Sequence, residues 1–270
     1  MLTSKFPHLK GLILDMDGVL WHDTQAIGNL PAIFSAISES GLRFVFGTNN
    51  ATKTAAEYQH KLRGFGLEIQ AEHIITSAAT TALYLKNHYA PGTCVYVVGS
   101  ASLKQVLFEQ GFKISPTEDF QTASLVVVGM DVEMTYERIR NAALLIRAGA
   151  DFIATNADAT YPTPQGLYPG AGTMVAAVAT ASGKQPLIIG KPYIAMYEHA
   201  YQVLGLRPEE VMGVGDRLET DIAGAQRAGC LSGLVLSGVS TPSQARAWQP
   251  APDFIAANLS DLIHGKDASL

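Results

Sequence analysis

The sequence predicts an α/β fold built on parallel strands, and three observations carry that prediction. Short aliphatic or β-branched runs recur along the chain, each followed by a turn signal and then by residues at helical spacing, which is how parallel strand-helix units read. Two of these buried runs open directly onto carboxylates, Asp15 after GLIL and Asp216 after VMGVG. The composition suits a large core: 47% of residues are apolar and only 16% charged, against about 25% charged in ordinary soluble domains.

Taken in order, residues 11–14 (GLIL) form a strand that ends at Asp15. Residues 30–40 (LPAIFSAISES) have helical spacing and close at Gly41, a helix stop. Residues 43–46 (RFVF) return as a second strand and run into Gly47-Thr48-Asn49-Asn50, after which residues 54–63 are helical. Strands follow at 94–98 (CVYVV), 125–128 (LVVV) and 152–154, with helices at 102–110, 136–148 and the alanine-rich 173–182. Late in the chain, residues 192–204 are helical, residues 211–214 (VMGV) form a buried strand, and the residues after about 261 read as a frayed tail.

Bulk numbers exclude several function classes. With 24 acidic against 19 basic side chains in 270 residues, the formal charge is -5, so there is no basic footprint for nucleic acid. Two cysteines, Cys94 and Cys230, make neither a disulfide framework nor a CxxC metal or redox pair, which points to a reducing cytoplasm. The first ten residues, MLTSKFPHLK, do not read as a secretory signal. No apolar run approaches the roughly 20 residues needed to cross a bilayer. The expectation is a soluble, cytoplasmic protein with neither nucleic-acid nor membrane partners.

Chemistry concentrates at strand ends, where open parallel sheets bind ligands. Asp15-Met16-Asp17-Gly18-Val19-Leu20 offers one carboxylate as a nucleophile toward phosphorus and a second as general acid and base. The structural alternative is an aspartate pair capping a turn. Asp216 and Asp221 follow Gly213-Val214-Gly215, and four carboxylates crowded at one sheet edge repel one another unless a hard cation such as Mg²⁺ neutralises them. Here the alternatives are a glycine-rich turn with Asp221 as helix N-cap, or a dinucleotide fingerprint, which lacks its third glycine. Between these segments stand Thr48 and Asn49, whose hydroxyl and backbone amides can cradle phosphate oxygens, and Lys191, which can balance charge on a transferring group. Singly, a threonine turn and a solvated lysine explain them; jointly and in this order they do not.

In this order the segments resemble the four motifs of the haloacid dehalogenase superfamily of phosphotransferases, across essentially the whole chain. The resemblance implies that Asp15 is the nucleophile that forms an aspartyl-phosphate and that Asp17 protonates the leaving oxygen and then activates water. It implies that Thr48 and the Asn49 backbone hold the phosphoryl group while Lys191 orients Asp15. Mg²⁺ would be bound by Asp15, the main-chain carbonyl of Asp17 and Asp216, with Asp221 close by to order the metal's waters or Lys191. Dehalogenases of the superfamily lack the second aspartate, since halide leaves without a proton, so Asp17 selects phosphate-ester chemistry.

Spacing locates a second domain. Only 30 residues separate Asp17 from Thr48, one ordinary crossover, whereas 142 separate Thr48 from Lys191. The surplus of roughly 100 residues makes a small inserted α/β domain, expected at 82–182, with a Rossmann-like parallel-sheet core from 1–81 and 183–270. An insertion at that point resembles the type II cap of the superfamily. Thr155-Asn156-Ala157-Asp158, followed by Gly166-Leu167-Tyr168-Pro169-Gly170-Ala171-Gly172, resembles the NagD-like branch of p-nitrophenyl, phosphoglycolate, pyridoxal phosphate and nucleotide phosphatases. The branch implies a cap that roofs the site and chooses the leaving group, with the loop 156–172 facing the ester. Tyr161 falls where a related pyridoxal phosphate phosphatase has a substrate-contacting histidine, and a tyrosine packed in a proline-rich loop is its structural alternative. Asn50 touches substrate or holds the turn. Many relatives carry a glycine near Trp21-His22-Asp23, and this chain has none before Gly28.

The expected function is a Mg²⁺-dependent phosphomonoester hydrolase acting on small cytosolic phosphate esters through an aspartyl-phosphate. The alternatives are a phosphotransferase or mutase on the same fold, and a phospho-ligand-binding regulatory protein, which would show a damaged motif. Relatives often pair through their caps, so a homodimer is expected from the resemblance.

Overall fold

A strand at the centre of a parallel sheet is covered on both faces, and so reads as an unbroken apolar run rather than an alternating one. Gly11–Leu14 is such a run and is buried at all four positions. The computed structural model describes residues 1–163 and 165–268. In it the strands of one six-stranded sheet lie in the order Phe254–Ala256, Leu231–Val235, Val211–Gly215, Gly11–Leu14, Arg43–Thr48 and Ile74–Thr76. The first five pair in parallel. Leu14 stands level with both Val214 and Phe46, so Asp15, Gly47 and Gly215 come level at one end of the strands.

The chain divides into two units. The first comprises Met1–Thr48, Ala55–Ile75 and the described residues from Lys191 on; the second comprises Asn49–Thr54 and Thr76–Gly190. The boundaries thus fall earlier and later than the 82–182 expected from spacing. The reason is local. The helix Ser77–His88 packs against Ala101–Glu109 within the second unit, and the two-residue strand Leu187–Ile188, too short to register as a sequence pattern, pairs with Asp151–Ala154.

The second unit has its own parallel sheet, ordered Leu187–Ile188, Asp151–Ala154, Leu125–Val128, Cys94–Val98, Lys113–Ile114. Val126, Val128, Phe152 and Ala154 pack there against Ala142, Ile146 and Val178 from its helices. Polar side chains start the helices at the expected places: Asn29 Oδ1, Ser100 Oγ and Thr135 Oγ1 each accept the amide three residues on, at 3.2–3.3 Å. Gly41, with φ +69°, follows the helix Leu30–Glu39.

Three expectations are corrected. The helix expected from residue 192 begins at Ala195, because the chain turns through Pro192–Ile194 and the amide of Glu198 is the first to close onto Ile194. Residues beyond 261 are not a frayed tail: Leu259–Ile263 is a helix capped by Asn258, it buries Leu259, Leu262 and Ile263, and Ala268 N–H donates to the Ile255 carbonyl at 2.8 Å. One short helical turn is too brief to show periodicity. The segment 156–172 is not all loop, since Thr160–Thr163 pairs antiparallel with Gly166–Pro169; Pro164 lies outside the described residues. The missing glycine near residue 23 is also explained. Trp21–His22 and Gln25–Ala26 form a hairpin, and Asp23 takes the left-handed position (φ +51°) that a glycine would fill. Among the described residues, no helix is long and apolar enough to cross a membrane.

Candidate active site

The strand ends bring four of the expected residues into one cluster. Lys191, 4% exposed, is inserted among acceptors: its Nζ donates to Asp15 Oδ1 at 2.6 Å, to Asp221 Oδ1 at 2.6 Å and to the Gly47 carbonyl at 2.8 Å. Asp15, Asp216 and Asp221 each present an oxygen within 4.8 Å of the others. Two of the three carboxylates therefore share one ammonium, and Asp216 lies beside them without an ion pair to it, in a place where little water reaches. Burial, and then the neighbouring Asp221 and Asp216 charges, push the Asp15 carboxyl well above the ordinary carboxylate range despite Lys191. Burial and the Asp221 charge likewise push Asp216 up to about 6. Burial opposes the Lys191 ammonium, but Asp15 and Asp221 outweigh it and hold its pKa above the usual lysine value. Such an excess of buried negative charge, offered by oxygen donors alone, fits a hard divalent cation.

Local structure holds each carboxylate in place. Asp221 sits in the turn Leu218–Ile222, where its Oδ2 accepts the Arg217 amide at 3.1 Å while its Oδ1 binds Lys191, so it is not the helix N-cap that the sequence left open. Asp216 Oδ2 accepts the Val239 amide at 2.7 Å. The loop that supplies this amide went unrecognised in the sequence. Ser237 Oγ donates to the Gly18 carbonyl at 2.7 Å, and Ser240 Oγ accepts the Leu218 amide at 3.1 Å, so residues 237–240 tie the first and last motifs together. Their signal was a strand, Leu231–Val235, running into Ser-Gly-Val-Ser, the same strand-to-glycine-turn pattern seen at Gly18 and Gly215. Gly18 and Gly238 are needed for close approach, because a β-carbon on either would overlap the Asp216 carboxylate.

Asp17 lies apart from the three-carboxylate group. Its Oδ1 accepts the Trp21 indole N–H at 2.8 Å, so any part in holding a metal falls to its main chain rather than its carboxylate. Thr48 ends its strand in a buried position, beside the buried phenol of Tyr58. Asn49, Asn50 and Tyr161 belong to the second unit. There Asn49 Nδ2 donates to Asp158 at 3.1 Å, and its carbonyl accepts Ser77 Oγ at 2.6 Å. Asn50 Oδ1 accepts the Thr52 amide at 2.9 Å and the Thr52 hydroxyl at 2.6 Å, which commits that oxygen to the turn. Tyr161 stands opposite Tyr168 on the hairpin, edge to face at 5.9 Å.

The chain as a whole is similar to known proteins. Residues 12–113 match the family model for haloacid dehalogenase-like hydrolases, and residues 188–262 match a second, HAD-hydrolase-like model. An acid sugar phosphatase of Staphylococcus aureus is 34% identical over 94% of this chain and 96% of its own. The chain belongs to the haloacid dehalogenase-like hydrolases. It is a phosphatase of that family. Among solved structures, a 4-nitrophenylphosphatase from Thermotoga maritima is 32% identical, with a TM-score of 0.90 over 97% of this chain and 99% of that one. A glycerol phosphate phosphatase from Mycobacterium tuberculosis, solved in complex with magnesium, is 36% identical with a TM-score of 0.86 over 95% of this chain and 77% of that one.

Proposed function

We propose that this phosphatase is a Mg²⁺-dependent hydrolase of small phosphate monoesters, of the sugar phosphate, glycerol phosphate, phosphoglycolate, pyridoxal phosphate or nucleotide class, and that it works through an aspartyl-phosphate. One observation carries the reading: three carboxylates converge at the strand ends, and Lys191 pairs with two of them, Asp15 and Asp221. Asp15, Asp216 and the Asp17 carbonyl would hold the ion, with Asp221 turned to Lys191. When bound, Mg²⁺ supplies positive charge to the phosphoryl oxygens.

The residues then divide the work. Asp15 attacks phosphorus as the ester P–O bond breaks, and Asp17 gives its proton to the departing oxygen. Asp17, now a carboxylate, takes a proton from water as that water attacks the phosphorus of the aspartyl-phosphate; inorganic phosphate leaves and Asp15 is restored. Lys191 fixes the Asp15 carboxylate and offsets charge gathering on the phosphoryl group, while Thr48 and the peptide N–H that follows it bind phosphoryl oxygens.

Asp15→Asn tests the scheme, since it removes the nucleophile's charge with little change of volume. It should abolish phosphate release from p-nitrophenyl phosphate while the far-ultraviolet circular dichroism is unchanged; retained turnover would sink the nucleophile assignment. Comparing kcat/KM across the five ester classes identifies the leaving group, and phosphate release unaffected by added acceptor alcohols separates hydrolysis from transfer.

A further inference from the structure

Asp17 is held by a residue that none of the four motifs includes. The indole N–H of Trp21 donates to Asp17 Oδ1 at 2.8 Å. That indole has little freedom of its own: Trp21 is fully buried, its ring stacks on Phe65 at 5.6 Å with 18° between planes, and the Lys61 ammonium lies 4.0 Å from the ring centroid. The main chain adds a further tie, with the Gly18 amide donating to the Trp21 carbonyl at 2.9 Å and the hairpin closing through Asp23. A carboxylate on a short side chain can swing about two torsions. One fixed donor on one of its oxygens removes most of that freedom and decides which oxygen faces the reaction.

We infer that Trp21 is a positioning residue for proton transfer: its indole N–H occupies Asp17 Oδ1 and thereby presents Oδ2 as the oxygen that carries the proton to the leaving group. This rests on the reading of Asp17 as the acid. The proton moves from Asp17 Oδ2 to the ester oxygen as the P–O bond breaks, and Trp21 keeps its own N–H throughout. Trp21 acts only through Asp17, so its contribution appears only where the leaving group needs a proton. It also gives a chemical reason for a tryptophan at this site: phenylalanine could still stack on Phe65, though it fills less of the space, but it could not donate.

The test compares two esters of nearly equal size on the full-length, Mg²⁺-loaded enzyme. p-Nitrophenolate departs without help, whereas the phenolate of phenyl phosphate, with a conjugate acid of pKa about 10 like tyrosine, needs the proton. Using kcat/KM confines the comparison to formation of the phosphoenzyme and leaves out the later water attack. Trp21→Phe should lower kcat/KM for phenyl phosphate at least about 10-fold more than for p-nitrophenyl phosphate, a part of the 10²–10⁴ that general acid catalysis contributes. A smaller difference, or an equal loss on both esters, overturns the proposal. Replacing Trp21 by its benzothiophene analogue, in a Trp248→Phe background, exchanges only the N–H for sulfur. It should discriminate between the two esters in the same way, and it stands in for the phenylalanine variant should that variant not fold. Asp17→Asn on the same ester pair separates the two ideas. If it discriminates between the esters and the Trp21 variants do not, only the role of Trp21 fails; if Asp17→Asn itself does not discriminate, the acid assignment fails.

Discussion

Replacing Lys191 by methionine should destabilise the metal-free protein severely, and in a pH-dependent way. The Nζ is 2.6 Å from an oxygen of both Asp15 and Asp221, and each contact is worth about 6 kcal/mol of gross attraction at an effective dielectric of about 20. Desolvation of all three groups cancels much of this, and removing one member of a buried pair typically costs about 3–5 kcal/mol. The methionine fills the volume, so the charge is the main thing lost. For a protein of this size a loss of that order lowers the melting temperature by about 6–20 °C. The carboxyls of Asp15 and Asp216 already have native pKa values above their unfolded ones, and losing the lysine raises Asp15 further. A carboxyl of this kind binds more protons folded than unfolded. Stability is therefore lost as pH rises from about 4 through the raised native value, and regained as pH falls. Thermal melts in EDTA at pH 8 and pH 5.5 should show the deficit of Lys191→Met relative to the parent shrinking at the lower pH. A deficit under about 1 kcal/mol at pH 8, or one that grows on acidification, would refute the claim that Lys191 holds mutually repelling carboxylates together.

Two further outcomes follow from the same cluster. With Asp216 titrating at about 6 in the metal-free protein, protons compete with the cation, so the Mg²⁺ dissociation constant measured by calorimetry should rise as pH falls from 7.5 to 5.5; a constant value would contradict oxygen ligation by these carboxylates. Gly238→Ala places a β-carbon on the Asp216 carboxylate, which should cost about 1–3 kcal/mol in stability and weaken Mg²⁺ binding, whereas Gly111→Ala, which has a positive φ but no neighbour within 4 Å, should cost stability and leave the metal affinity alone.

The candidate site was legible because its residues lie in short contiguous runs at strand ends. Asp15 and Asp17 stand two positions apart, Gly215 and Asp216 are adjacent, and an aliphatic run before each pair announces the strand that positions it. The partners of these residues were hidden because they are held from far along the chain. Val239 reaches Asp216 and Ser237 reaches Gly18 across more than 200 positions in the latter case, and no local pattern encodes such a contact. Trp21 is a different case. It stands four residues from Asp17, yet a tryptophan in an apolar stretch reads as packing, and only the direction of its N–H distinguishes a donor from a filler.

By itself the sequence determined the parallel α/β class, the order of the motifs and the existence of an insertion, since periodicity, composition and the gap between Thr48 and Lys191 all survive without coordinates. It also carried the nucleophile, acid and cation-site candidates, because strand ends are visible as the places where an apolar run stops. Tertiary structure decided the rest. It set the unit boundaries through a two-residue edge strand and a helix whose packing, not pattern, assigns it. It turned Asp221 onto Lys191, gave Asp216 its backbone donor and set the indole of Trp21 on Asp17. The physical reason is common to all of these: secondary structure follows from neighbours a few residues apart, whereas the charge balance and orientation of a buried carboxylate depend on whichever distant groups the fold brings within about 3 Å of it.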